Sequence, residues 1–373
     1  MDALKINIVS FNIPYPPNYG GIIDVFYKIK SLHATGIKII LHCFDYGRGI
    51  QPELDKLCEK VYYYKRKTGF LNSVGKTPYI IKSRSNAQLL NNLNKNSYPI
   101  LFEGLHTTYY LSSNVLKKRI KVVRMHNIEH DYYLQLAKQE KNVFKKLYFK
   151  NAANKLKKYE QTLKYATHIA AISPNDYAYF AKLYKNTFWL PPFHPNNGIN
   201  ITFGTSSYVI YHANLSVPEN IEAAKYLINA FYNINNISLV IAGKNPDKHI
   251  LKLAQNAKHI KIVANPSESE MQNLVAMAHV HLLPTFQPTG IKLKLIASLF
   301  NGRHCVVNND MISGTGLESL CHLANTPNEF VDKTKKLMDL PFENKDLIHR
   351  KQILSNKFDN KINAELLLSK IVE

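Results

Sequence analysis

The chain has 373 residues, 45% of them hydrophobic, with four cysteines and a formal charge of +21. That length exceeds one ordinary core, so two domains are expected. No apolar run nears the roughly 18 residues of a membrane helix, which excludes a helical membrane channel or carrier. The opening MDALKINIVSF lacks the basic and apolar regions of a signal peptide, so a cytoplasmic protein is expected. Cys43, Cys58, Cys305 and Cys321 have no metal-ligand spacing and read as reduced thiols. The charge is uneven. Residues 1–200 hold 30 Lys+Arg against 12 Asp+Glu, whereas residues 201–373 hold 18 against 15. The first half therefore faces something acidic: anionic lipid, nucleic acid or a phosphorylated substrate.

In chain order, residues 5–11 (KINIVSF) predict a strand, followed by a proline-rich loop that ends in Gly20-Gly21. A helix follows over 21–35, with Ile22, Val25, Phe26, Ile29 and Leu32 on one face, and then a strand over 37–44. Glycines at the helix start would let a ligand's phosphates approach the backbone. The spacing is not the GxGxxG dinucleotide fingerprint, and most such pairs are only turns. A third strand is predicted at 61–64, and short helices or loop over 65–82. Strands at 98–103 (YPILFE) and 120–125 (IKVVRM) each deliver a histidine just past their carboxyl ends, His106 and His126. With Glu103 and Glu129 close by, these nominate Glu103, His106 and His126 as catalytic candidates. His126 to His130 also spells H-x-x-E-H, a zinc-peptidase pattern. That pattern needs both histidines on one helix, and His126 is expected to end a strand, so no metal is expected.

Residues 138–164 predict one helix with an apolar stripe of Val143, Phe144, Leu147, Tyr148, Leu156, Tyr159 and Leu163. The span carries nine lysines and two glutamates. The favoured reading is a packed stripe under solvated lysines. Attraction of those lysines to an anionic membrane is the alternative, placing the protein at the inner face of the plasma membrane. Residues 167–172 predict a strand, Ser173-Pro174 caps a helix, and 190–198 reads as an interdomain linker.

The second half alternates strands (208–212, 237–242, 260–263) with helices from about 219 and 267. Gly314-Thr315-Gly316 is a possible helix start, and a final helix from about 348 is placed to pack back on the first domain. Its most informative stretch is 279–307, HVHLLPTFQPTGIKLKLIASLFNGRHCVV. An apolar strand ends at Pro284, a loop follows, a helix begins near Ile291, and Cys305-Val306-Val307 is the next strand. Lys292 and Lys294 sit badly for the helix dipole unless an anion binds there; two solvated lysines are the plain alternative. Alternating strands and helices predict α/β domains with doubly wound parallel sheets over 1–195 and 205–347.

The pieces Pro16-Pro17 to Gly20-Gly21, His126, Ala171-Ile172-Ser173, Leu239 to Gly243, Leu283-Pro284-Thr285 and Gly290 to Gly302 with Val306-Val307 resemble the GT-B glycosyltransferases, specifically the retaining family 4 (group 1). The resemblance spans nearly the whole chain, and the 290–302 block is its most specific part. It implies two Rossmann-like domains facing across a cleft, the first for the acceptor and the second for a nucleotide-diphosphate sugar. It implies that Gly20 and Gly21 approach the diphosphate, that His126 lies beside the reacting sugar, and that Lys292 neutralises the leaving group without a metal. Donor contacts are expected from His212, Asn214, Gly243, Lys244, Thr289, Gly290, Ile291, Lys292 and Lys294. Expected partners are the nucleotide sugar and a glycan or lipid-linked acceptor in polysaccharide biosynthesis. The family commonly has a Glu where this helix has Ala297, and no carboxylate occurs from 285 to 302. A catalytically weak or silent relative therefore stays open. A nucleic-acid-binding protein, suggested by charge and 23 tyrosines, is the weaker alternative, because no RNP-like or helix-turn-helix pattern is present.

Overall fold

Apolar strands that alternate with helices bury both faces only as parallel sheets covered on each side. The computed structural model folds the chain in that way twice, and it describes residues 4–69, 75–287 and 292–372. There are two compact units. The first takes described residues 4–195 and 357–372, the second 196–287 and 292–356.

The first unit contains β1 (Lys5–Ser10), α1 (Gly20–Ala34), β2 (Lys38–Asp45), β3 (Lys60–Lys65), α2 (Tyr79–Lys82), α3 (Ala87–Leu93) and β4 (Ile100–Glu103). It continues with β5 (Lys121–Met125), α4 (Glu129–Gln139), α5 (Val143–Tyr159), β6 (His168–Ala171), α6 (Pro174–Leu183) and β7 (Thr187–Trp189). Its strands pair in parallel in the order β3-β2-β1-β4-β5-β6-β7. The order reverses between β1 and β4, where Ile8 stands opposite Leu41 on one side and Leu101 on the other. Such a switch point opens a crevice at the strands' carboxyl ends.

The second unit contains β8 (Tyr208–Asn214), α7 (Pro218–Phe231), β9 (Ser238–Lys244), α8 (Lys248–Ala254), β10 (Ile260–Ala264), α9 (Glu268–Met277) and β11 (Val280–Leu283). It continues with α10 (Leu293–Asn301), β12 (His304–Val307), α11 (Asn309–Ile312), β13 (His322–Leu323), α12 (Pro327–Met338) and α13 (Asn344–Lys357). Its parallel order is β10-β9-β8-β11-β12-β13, so its switch point lies between β8 and β11. The last helix, α14 (Asn360–Val372), belongs to the first unit, where Ala364, Leu367 and Ile371 join Val25, Ile29 and Leu32 of α1 in one core. Each such buried Leu or Ile stabilises by about 1.5–3 kcal/mol.

Several expectations change. The single helix over 138–164 is two: Asn142 accepts from the N–H groups of Phe144 and Lys145 and so starts α5 afresh. The stripe does not pack as a whole. Leu156 and Leu163 are buried, but Val143, Phe144, Leu147 and Tyr148 are exposed, Phe144 by 84%. The new cap resets the helical phase and leaves the first two turns in solvent. The linker at 190–198 is half core, since Leu190, Phe193 and His194 are buried. Gly314-Thr315-Gly316 leads into a single 3-10 turn, Glu318–Leu320, and no α-helix; both glycines take left-handed turns, with φ of 69° and 74°, after α11. The final helix is also two, and α13 lies almost wholly in the second unit. No helix among the described residues is long and apolar enough to cross a membrane.

Candidate functional site

In the first unit the chemistry gathers at the β1/β4 switch point. Asp24 and Lys28 are four residues apart on α1, on the face that carries Val25 and Ile29, so they are buried with it. Lys28 Nζ donates to Asp24 Oδ2 at 2.9 Å and to both Glu103 oxygens at 2.8 and 2.9 Å. Arg124, from β5, donates to both Asp24 oxygens at 3.2 Å and to the carbonyls of Leu190 and Pro191. Asp24 also accepts from Phe193 N at 2.7 Å, which explains why the expected linker is packed. His126, one residue past β5, sets Nε2 3.0 Å from Glu103 Oε2. Burial alone would raise the Asp24 and Glu103 carboxyls. Arg124 and Lys28 outweigh it for Asp24, and Lys28 and His126 for Glu103, so both end below their usual range and stay ionised.

Asp24, Glu103 and His126 bring ligand atoms within 4.8 Å of one another, the one metal-like group among the described residues. The donor set does not fit a resident ion, because the Lys28 ammonium already bonds both carboxylates and Arg124 bonds Asp24 again. The H-x-x-E-H pattern fails geometrically too. His126 ends a strand while His130 lies in α4, with Nδ1 3.3 Å from Glu160.

Beside this network, Gly104 turns the chain at φ 72°, and a Cβ there would sit 2.9 Å from His106 Nδ1. Phe11 packs against both histidine rings, at 5.5 Å from His106 and 5.4 Å from His126. Gly21 has no side chain for the same reason: its Cβ would meet Phe11 at 3.0 Å. His106 Nδ1 lies 3.7 Å from Glu129 Oε1. Burial, with Arg84 and His126 nearby, holds the His106 imidazole well below its usual range, so it is neutral. Burial raises the Glu129 carboxyl to about 8, against the pull of Asn127 and Arg84. His106 Nδ1, His126 Nδ1, Asn127 Oδ1 and Glu129 Oε1 are all buried without a hydrogen-bond partner. Each such atom costs about 1–3 kcal/mol if it stays without a partner.

In the second unit, His212 lies near the end of β8 with Nε2 2.9 Å from Ser298 Oγ of α10, and burial beside Lys294 lowers it to about 4. Lys294 donates to Asn220 Oδ1 at 2.6 Å and lies 5.3 Å over the Tyr211 ring. Lys292 donates to Gln287 O at 2.7 Å. Burial holds both ammonium groups down to about 8, with Lys294 adding to the effect on Lys292. The carboxylate that acts on both is Glu219, in the first turn of α7. Gly243 is required by crowding, since a Cβ would collide with Ala213 O. Asn214 spends its side chain on its own turn, accepting from Ser216 N and Oγ. Lys244 is exposed, paired in register with Asn214. Thr289, Gly290 and Ile291 lie outside the described residues.

The structure thus brings Glu103, His106 and His126 together near the start of α1, where Gly20 and Gly21 lie, and places His212 and Lys294 on strand and helix at the second switch point. Sequence reading missed Asp24, Lys28 and Arg124. The available signal was a charged pair at i, i+4 falling on an apolar helix face instead of the polar one.

No family model matches the chain. It is 26% identical over 331 residues, 84% of each chain, to an uncharacterised 44.6 kDa protein of the cps region of Klebsiella pneumoniae. Among solved structures it is similar to the lipopolysaccharide outer core galactosyltransferase WaaB, with a TM-score of 0.67 at 13% identity over 99% of both chains. It is also similar to HepE of Anabaena in complex with UDP and glucose, with a TM-score of 0.65 at 11% identity over 99% of this chain and 100% of that one. Two doubly wound parallel sheets of these orders, matched over the full length, give this chain the GT-B fold.

Proposed function

We propose that the protein is a glycosyltransferase that moves a sugar from a nucleotide-diphosphate sugar to a glycan or lipid-linked acceptor. The observation that carries this is the pair of crowded lysines at the head of α10, both held near pKa 8, on a GT-B fold. Two adjacent ammonium groups without a carboxylate on their own helix are ready for a diphosphate. In this reading the second unit holds the donor through Lys292 and Lys294, with Lys244 and His212 as further contacts. The first unit presents His126, oriented by Glu103, to the reacting sugar. The neighbours support the substrate classes: WaaB acts on lipopolysaccharide outer core as a galactosyltransferase, and the HepE complex contains UDP and glucose. In this reading Lys292 and Lys294 supply the positive charge that a metal supplies elsewhere, so transfer is metal-independent. The resemblance to retaining enzymes supports retention of anomeric configuration.

In this reading the protein works at the cytoplasmic face of a membrane. Val143, Phe144, Leu147 and Tyr148 form an exposed apolar knob at the start of α5, flanked by Lys141, Lys145, Lys146 and Lys150, a combination suited to anionic lipid. The test is release of nucleoside diphosphate from UDP-, GDP- and ADP-sugars and of CMP from a CMP-sugar, in excess EDTA, with an extract of lipid-linked glycans as acceptor. Acceptor-dependent release of one nucleotide is expected. Binding without turnover would mean that the lack of a carboxylate at Ala297 has left a silent relative.

A further inference from the structure

Three arginines follow elements on the β3–β2 side of the first unit. Arg48 follows β2, Arg66 directly follows β3, and Arg84 follows α2. Hydrogen bonds tie them to the β1–α1 loop around Tyr19: Arg48 bonds Pro16 and Asn18 within it, Arg84 bonds Phe11 at its start, and Arg66 bonds Ser83 beside Arg84. Arg48 lies 5.3 Å over the Tyr19 ring and donates to Pro16 O and Asn18 Oδ1. Arg66 lies 4.5 Å over the Tyr46 ring and donates to Ser83 Oγ at 3.0 Å, while its Nε is buried without a partner. Arg84 is buried and donates to Phe11 O at 3.0 Å.

Among the described residues no carboxylate pairs with any of the three. The carboxyl in the field of Arg84 is Glu129, which burial keeps largely protonated at neutral pH. Each guanidinium is thus anchored by neutral oxygens or an aromatic face, and Arg66 repels Arg84. The same region holds the buried, unpartnered Glu129 Oε1 and His106 Nδ1. Planar guanidinium forks match the oxygens of a phosphoryl group.

We propose that Arg48, Arg66 and Arg84 form a phosphoryl-binding site that recognises a phosphate or diphosphate carried by the acceptor. The proposal rests on the transferase reading for the word acceptor, not for the anion. The donor's diphosphate already has its cations in the second unit, Lys292 and Lys294. A second set in the first unit calls for a second anion. A sugar attached through a phosphate or diphosphate has that chemistry, whereas a neutral glycan does not.

The experiment is calorimetric titration with inorganic pyrophosphate at about 0.15 M salt, where long-range surface attraction is screened, on protein alone and protein saturated with UDP. UDP-saturated wild type is expected to bind pyrophosphate still. Arg48→Gln/Arg66→Gln is expected to weaken that binding by roughly tenfold or more, about 1.4 kcal/mol. Arg66→Lys, which keeps the charge and loses the fork, should fall between. Lys157→Gln, an exposed charge elsewhere, should change nothing. Pyrophosphate binding that vanishes with UDP present, or that the arginine variants leave intact, overturns the proposal. So does a loss of UDP affinity in the arginine double variant, which would assign these residues to the donor. If wild type binds no nucleotide but binds pyrophosphate through the arginines, the transferase reading fails and the anion site stands.

Discussion

His126 Nε2 lies 3.0 Å from Glu103 Oε2, while the same carboxylate accepts from Lys28 Nζ through both of its oxygens. Glu103 therefore fixes the ring, whose Nδ1 is buried 3.8 Å from Asp24 Oδ2. Replacing Glu103 with Gln should keep the nucleotide dissociation constant and lower turnover by roughly 10²-fold, because the ring loses its ionised anchor. His126→Ala should cost at least as much. Steady-state rates beside nucleotide titrations check this, and equal losses in both would assign Glu103 to folding alone.

The network also makes a stability statement. Lys28→Ala leaves Asp24 and Glu103 as buried charges with one cation fewer, so it should cost about 3–5 kcal/mol in urea unfolding. Asp24 and Glu103 are depressed below their unfolded values of 3.8 and 4.5. Their contribution is complete above those values and is lost as pH falls below them towards the folded pKa. Wild type should lose stability steeply below about pH 4.5. Asp24→Asn should be less stable at pH 7 and show a shallower acid slope.

Glu129 runs the other way. Its folded pKa, about 8, lies above the ordinary 4.5. Between those values the folded protein holds a proton that the unfolded chain releases, so Glu129 lowers stability as pH rises. Glu129→Gln should flatten the fall in stability from pH 5 to pH 8. An unchanged slope would mean that Glu129 is ionised in the folded protein.

Phe144 is 84% exposed, so Phe144→Asp/Leu147→Asp should leave the thermal midpoint nearly unchanged. The same variant should lose most of its flotation with vesicles containing anionic lipid. Equal flotation of wild type and variant would remove the α5 knob from membrane contact.

The fold was legible because both halves alternate short apolar runs with helical patterns, and turn residues such as Gly36 and the Ser267–Glu270 capping box mark the ends. Glu103, His106 and His126 were legible because Glu103 ends a strand and each histidine comes just past one. The charge network was not, since Asp24 and Arg124 are a hundred residues apart and only the sheet order brings them together. The α5 stripe misled because apolar periodicity records a face but not whether a neighbour covers it. The arginines sit in segments without periodicity, where only the positions of β2 and β3 reveal that they share an edge.

The most direct test of the central claim is a thermal-shift and calorimetric screen of wild type and Lys292→Ala/Lys294→Ala against UDP, GDP, ADP and CMP, without metal, from pH 7 to 9.5. In the proposed function it is the protonated lysines that bind the diphosphate, and burial lowers both to about 8. Affinity for one nucleoside diphosphate should be flat below pH 8 and fall by up to roughly tenfold per pH unit for each lysine above it. At about 100 times its dissociation constant that nucleotide should add about 2.7 kcal/mol to wild type, and far less to the double variant. Flat curves for every nucleotide, or equal shifts in wild type and variant, would contradict the account.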